Sequence, residues 1–418
     1  MNFAGHYLPN HALYSSFISA TPNEDLFLQI VIPCFNEPYL IKTLESIWIC
    51  DRPNCSVEII VVINASINNG IIELEQNRKS EIEFNEWKKK HNEKKINFHL
   101  VSINNLPEKD AGVGLARKIG MDEAVRRFEY LGKSEGVIIG FDADCTCQTN
   151  YLTEIEKLFI QNKKINACSI QFEHPLQCDK YDDFTYNSIA SYELYLRYYI
   201  SALKYAGHPF AFQTIGSSFA VRADVYCRQG GMNKRKAGED FYFLQKIIQL
   251  GNYAELNSTK VFPSPRASNR VPFGTGATIQ KMLENKSSNY LTYNLKAFLD
   301  IEHVVNFVSK MYKKDDIVIK SVLSEFSEPL QKFLIENNFV KNVLEINENS
   351  NSQTTFQQRF FKWFNMFKVL KYMNFSHPAY YPFVNITESA IEFLKLKGIV
   401  TNNKDAKELC EDFRNNKL

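Results

Sequence analysis

GVIIGFDADCTCQTNYL, residues 136–152, ends a short apolar run with two carboxylates one residue apart. Val137-Ile138-Ile139-Gly140-Phe141 reads as a buried strand that stops at Asp142 and Asp144. In extended backbone, residues i and i+2 point the same way, so the two carboxylates are expected to converge. Like charges that converge repel, and one resists ionising unless a cation lies near. Hard carboxylate oxygens suit Mg2+ or Mn2+, and such sites use one or two protein carboxylates together with substrate phosphates. The pair therefore reads as a grip on a metal that in turn holds a diphosphate. A plainer reading makes Asp142 a turn residue and Asp144 a helix cap. The motif alone does not choose between them.

Upstream, LFLQIVIPCF (26–35) is an apolar strand run closed by Pro33, and EPYLIKTLESIWIC (37–50) has helical spacing with Pro38 in its first turn. VEIIVVIN (57–64) and INFHLVSI (96–103) read as strands. The charged stretch 71–95 and GLARKIGMDEAVRRF (114–128) read as helices. Strands alternating with helices predict a mostly parallel sheet flanked by helices, an α/β fold. In such sheets ligands bind outside the carboxyl ends of the strands. The informative residues should then be Pro33 to Glu37, Asn64 to Asn69, Asp110 to Arg117, and Asp142 to Asp144.

Downstream, CSIQFEHP (168–175) reads as a strand and residues 187–207 as a long aromatic helix. Residues 213–232 read as a strand, a short helix and a turn, and FYFLQKIIQLG (241–251) as a helix stopped by glycine. Residues 290–418 read as mainly helical, with EINENSNSQTT (345–355) as the most linker-like segment. FQQRFFKWFNMFKVLKYMNF (356–375) is either a helix lying on an anionic membrane or an aromatic core stripe with exposed lysines, and the core reading is preferred.

The 418 residues carry 49 Lys+Arg against 47 Asp+Glu, and this balance gives no sign of broad nucleic-acid binding. The N-terminus does not read as a secretory signal, and no apolar run is long enough to span a bilayer. Nine scattered cysteines fit reduced thiols and a cytoplasmic location better than a disulfide framework. Cys145 and Cys147 lack a second cluster at zinc-ligand spacing.

The ordered set IVIPCFNEPYLIKTLESI, EIIVVINAS, GVGLARKIGMDEA, FDAD and GGMNKRKAGEDFYF resembles a family-2 glycosyltransferase of the GT-A fold, over roughly residues 26–280. The resemblance implies a GT-A-like domain (26–285); residues 1–25 are left as an N-terminal extension, and 286–418, outside the resemblance, as a mainly helical C-terminal region. It also implies transfer of a sugar from a nucleotide-diphosphate donor, a UDP-sugar foremost, with Mn2+ or Mg2+ at Asp142 and Asp144. Pro33, Phe35, Glu37, Asn64, Ser66, Asp110, Gly112 and Arg117 fall on the donor side. Asn64 stands where relatives carry an acid, so the base is left open. Glu239 and Asp240 fall in the acceptor site, Asp240 as the base of an inverting reaction. Gly230 and Gly231 would let their loop approach the donor sugar.

Plainer readings stand beside these: strand-end packing for Pro33 and Phe35, a solvated helix charge for Arg117, and a favourable helix start for Glu239-Asp240. Arg266 and Arg270 precede a Gly-Thr-Gly, and their guanidinium forks match phosphate oxygens, with surface charge as the plainer reading. That segment lacks the His many relatives place there. The Gly-x-Gly at Gly112 and Gly114 follows the third strand, not the first, and lacks a third glycine, which excludes a dinucleotide fingerprint.

Other readings of the same fold are a retaining glycosyltransferase, a sugar nucleotidyltransferase, and a non-catalytic sugar-nucleotide scaffold. The acceptor is left open among a polysaccharide, a lipid-linked glycan reached by peripheral membrane contact, a protein and a small molecule.

Overall fold

The computed structural model describes residues 2–177, 180–270, 274–401 and 404–415. The chain forms two compact units, Met1–Pro175 with Thr214–Gln280, and Leu176–Gln213 with Lys281–Leu418.

The first unit opens with a short helix, α1 (Tyr7–His11). It continues β1 (Leu26–Cys34), α2 (Leu40–Trp48), β2 (Ser56–Ser66), α3 (Ile71–Lys90), β3 (Ile96–Leu106), α4 (Val113–Tyr130) and β4 (Val137–Gly140). β5 (Thr146–Cys147), α5 (Tyr151–Gln161) and β6 (Ala167–Phe172) follow. The long helix α6 (Asp183–Tyr205) lies in the second unit. The chain then returns with β7 (Phe219–Arg222), α7 (Ala223–Arg228), α8 (Glu239–Ile248) and β8 (Tyr253–Phe262).

The strands form one sheet in the order β3-β2-β1-β4-β7-β6-β8-β5. β3, β2, β1 and β4 are parallel, as the alternating pattern predicts, while β7 runs antiparallel between β4 and β6. All eleven residues of β2 are buried, the signature of a central parallel strand covered on both faces. Gly120 of α4 lets that helix lie directly on the sheet. A Cβ there would fall 2.4 Å from Val31 Cγ1 and 3.0 Å from Val62 Cγ2.

Several sequence readings shift. β4 ends at Gly140, so Asp142 and Asp144 sit in a turn closed by Cys145 N donating to Asp142 O, not on extended backbone. Pro38 lies before α2, not inside its first turn, and α8 starts two residues earlier than the apolar spacing suggested, at Glu239.

In the second unit the linker-like stretch is mostly helical. Residues 345–348 complete helix Phe339–Glu348, and the next helix, Gln353–Trp363, begins where Ser352 Oγ accepts from Thr355 N. Hydrophobic spacing outweighs a polar composition here. The aromatic stretch 356–375 is not one helix. It breaks at Phe364 and Asn365, and the Asn365 side chain caps Met366–Ser376. Its Phe356, Phe360, Phe364, Val369, Tyr372 and Met373 are fully buried, which makes the stretch core. Among the described residues no helix is long and apolar enough to cross a membrane.

Candidate active site

The carboxyl ends of β1, β2 and β4 and the start of α4 bring two charge clusters together, and the two aspartates after β4 belong one to each.

The first cluster centres on Arg117. One turn into α4, its side chain is almost wholly buried. Nη2 donates to Asp142 Oδ1 at 2.5 Å and Nη1 to Glu239 Oε1 at 2.5 Å. The plainer reading of Arg117 as a solvated helix charge therefore fails. Gly216 makes the approach feasible, because a Cβ there would lie 2.5 Å from Arg117 Nη1 and 3.0 Å from Asp240 Oδ2. Asp240 is half-buried and its Oδ1 accepts from Phe241 N at 2.7 Å. Burial raises its pKa above the usual carboxylate range, Arg117 opposes the shift, and Asp142 adds to it. Burial pushes the Glu239 carboxyl up to about 7, with Arg117 pulling down and Asp240 pushing up. These are the conditions under which a carboxylate works as a base near neutrality.

The second cluster surrounds Glu37, which is fully buried. Its Oε2 accepts from Arg270 Nη1 at 2.9 Å and from Arg266 Nη2, and its Oε1 accepts from Tyr39 N. Arg270 Nη1 also donates to the Phe35 carbonyl at 3.0 Å, and Nη2 reaches Asp144 Oδ2 at 3.4 Å. The loop holding Glu37 is anchored through Asn36, at φ 49°, whose N–H donates to Asn77 Oδ1. Asn tolerates this left-handed backbone better than most residues. Burial raises Asp144 to about 6, although Arg270 draws it down, because Glu37 and Asp142 press it upward.

Of the other predicted residues, Pro33 is ladder-paired with Val62 near the end of β1. Asn64 Nδ2 donates to the Gly112 carbonyl at 3.1 Å, which ties β2 to the start of α4. Ser66 Oγ accepts from Asn68 N, and Asp110 faces Lys234 at 3.7 Å. Gly112 packs against Lys236, and a Cβ on Gly114 would strike the Arg235 carbonyl at 2.2 Å. The glycines of α4 thus admit the basic loop before Glu239. Gly231 is the correction: it faces Tyr7, where a Cβ would lie 1.9 Å from the hydroxyl, and is not free to close on a sugar. Gly216 and Tyr7 are the residues sequence reading missed. Only the glycine in Ile-Gly-Ser-Ser, before a strand, could have signalled the first.

The donor set suits a hard cation. Asp142 Oδ2 has no hydrogen-bond partner among the described residues, and neither arginine engages Asp144 Oδ1. About a third of the Asp142 side chain and a quarter of the Asp144 side chain face solvent. Among the described residues no group of three His, Cys, Asp or Glu side chains could hold a metal. A cation here would take two carboxylates and complete its shell with water and phosphate.

The family model described as Glycosyl transferase family 2 matches residues 29–214. The match stops before Gly216, Glu239, Asp240, Arg266 and Arg270. No curated protein sequence matches the chain. Among solved structures, it is similar to S. aureus TarS 1–349 in complex with UDP-GlcNAc, at 13% identity over 80% of this chain and 90% of that one, TM-score 0.40. It is also similar to the mannosyltransferase PcManGT of Pyrobaculum calidifontis in complex with GDP-Man and Mn2+, at 12% identity over 84% and 90%, TM-score 0.37. A third similarity is to glucosyl-3-phosphoglycerate synthase of Mycobacterium tuberculosis with Mn2+, UDP-Glc and phosphoglyceric acid, at 12% identity over 58% and 76%, TM-score 0.32. These likenesses are too loose to transfer a residue or a substrate. Over residues 29–214 the chain is similar to glycosyl transferase family 2.

Proposed function

We propose that the chain is a metal-dependent, inverting glycosyltransferase that moves a sugar from a nucleoside-diphosphate donor to an acceptor hydroxyl in glycan or polysaccharide synthesis. The observation that carries this reading is the bridge of Arg117 from Asp142 to Glu239, which sets the Asp-x-Asp turn beside a raised acid pair. Residues 26–285 carry the catalytic domain, except that 176–213 and 281–285 pack in the second unit, with 1–25 as its extension and 286–418 as a helical region.

Donor binds over the ends of β1, β2 and β4, against Pro33, Phe35, Asn64, Ser66, Asp110 and Gly112. Its diphosphate lies toward Asp142, Asp144, Arg266 and Arg270. Asp142 and Asp144, through the oxygens the arginines leave open, would hold Mn2+ or Mg2+, which would supply neutralising charge to the departing diphosphate. Arg266 and Arg270, now held on Glu37 and Asp144, offer guanidinium forks to the same oxygens. Glu37 keeps both arginines pointed into the site.

Asp240 takes the proton from the acceptor hydroxyl as its oxygen attacks the anomeric carbon. The bond to the diphosphate breaks, and the configuration inverts. Glu239 orients the acceptor from its seat on Arg117. The cysteines of the described residues are free thiols, which agrees with a cytoplasmic enzyme, and a lipid-linked acceptor would be met at the membrane surface.

A thermal-shift panel of nucleoside diphosphates and sugar nucleotides, each with and without Mn2+, tests the donor site. Stabilisation that needs one nucleotide plus metal, and vanishes in Asp142→Ala/Asp144→Ala, supports the reading. Stabilisation by nothing in the panel returns the two aspartates to turn caps. The anomer of the product separates inversion from retention.

A further inference from the structure

The N-terminal segment lies outside the family match, yet it is bound closely to the first unit. Ala4 N donates to Glu129 Oε2 at 3.0 Å, and Ser16 Oγ, Phe17 N and Ile18 N all donate to Glu123. Arg127 Nη1 donates to the Ala20 carbonyl at 2.9 Å. Every one of these partners lies on α4, the helix that begins one turn before Arg117.

Tyr7 does more than anchor. It is 2% exposed, and its hydroxyl donates to Asp122 Oδ1 at 2.7 Å while accepting from Lys118 Nζ at 2.9 Å. Tyr226 of α7 donates to the same Asp122 oxygen at 2.8 Å, and the two tyrosine rings meet edge-on at 5.5 Å. The Tyr7 hydroxyl also fills the space over Gly231, which sits at φ 70° at the start of the loop leading to Glu239 and Asp240. One side chain from the N-terminus thus touches both α4, which carries Arg117, and the loop that delivers the acid pair.

We propose that residues 4–20 form an intramolecular strap, and that Tyr7 is a positioning residue that fixes the loop 230–238 against α4 so that Glu239 meets Arg117. Tyr7 lies far along the chain from Arg117 and Glu239 and acts through Gly231 and Asp122. Catalysis is sensitive to small displacements of its groups, so a loosened loop lowers turnover more than donor binding. The role in turnover rests on the function proposed above, whereas the mechanical link does not.

The test is Tyr7→Phe, which keeps the ring contact and removes the hydroxyl bridge. Gly231→Ala, which drives a methyl onto that hydroxyl, is the second route. Hydrogen exchange is expected to speed about fivefold or more at amides 229–240 in both variants, with β1 and β2 unchanged. With an identified donor and acceptor, kcat is expected to fall about tenfold while the donor KM moves less than about twofold. Unchanged exchange at 229–240 in both folded variants overturns the strap. Faster exchange with unchanged kcat overturns the positioning role. A wild type that transfers no sugar counts against the functional reading instead, and exchange still decides the strap.

Discussion

Arg117 and Glu239 are 122 residues apart in sequence and meet at 2.5 Å, both almost fully buried. Breaking a buried ion pair leaves an uncompensated charge. Arg117→Ala strands Glu239 and removes the partner of Asp142, so a loss of about 3–5 kcal/mol in unfolding free energy is expected. Arg117→Lys should recover only part, because one ammonium does not reproduce a planar fork that spans two carboxylates. Urea unfolding measures both, and a loss below about 1 kcal/mol for the alanine variant would show that water compensates the site.

Asp240→Asn should separate binding from chemistry. An amide keeps the size of the side chain but does not accept the acceptor proton, so turnover is expected to fall by about a hundredfold or more. The metal-dependent thermal shift with nucleotide should persist, since the donor contacts lie at other residues. Retained turnover would remove Asp240 from the base role.

Arg270→Ala should weaken donor binding about tenfold, with a smaller effect in Arg266→Ala. Arg270 touches Glu37, the Phe35 carbonyl and Asp144, whereas Arg266 lies 4.0 Å from Asp144. Titration calorimetry with the nucleoside diphosphate and Mn2+ reads the difference. Equal affinities in wild type and Arg270→Ala would confine that arginine to holding Glu37.

Glu239 sets a pH dependence of stability. Its carboxyl rises from 4.5 in the unfolded chain to about 7 in the fold, chiefly through burial. The folded state then holds the proton more tightly, so the contribution of Glu239 is fully present below about pH 4.5. It is lost as pH rises through about 7. Melting temperatures taken from pH 4.5 to 8 should decline for the wild type relative to Glu239→Gln. Parallel curves would mean that Arg117 cancels the burial penalty.

The parallel half of the sheet was legible because buried parallel strands read as continuous β-branched runs, as in EIIVVIN of β2. The turn at Asp142 and Asp144 was legible as a place but not as a geometry. Extended backbone predicted convergence, whereas Arg117 and Arg270 draw the two carboxylates to different partners. The break at Phe364-Asn365 was not legible either, because a stripe of Phe and Lys keeps helical spacing across an Asn cap.

The sequence by itself determined the order of the elements and where chemistry-bearing residues fall along them, since those follow from local periodicity and from glycines and carboxylates at strand ends. Only the tertiary structure decided who meets whom. Arg117 looks the same in sequence whether it points to water or to Glu239, and Tyr7 carries no mark of its contact with Gly231. Such pairings are long-range, set by how α4 lies on the sheet and how the chain returns after α6. They are stabilised by burial of charge against charge, which no local pattern records.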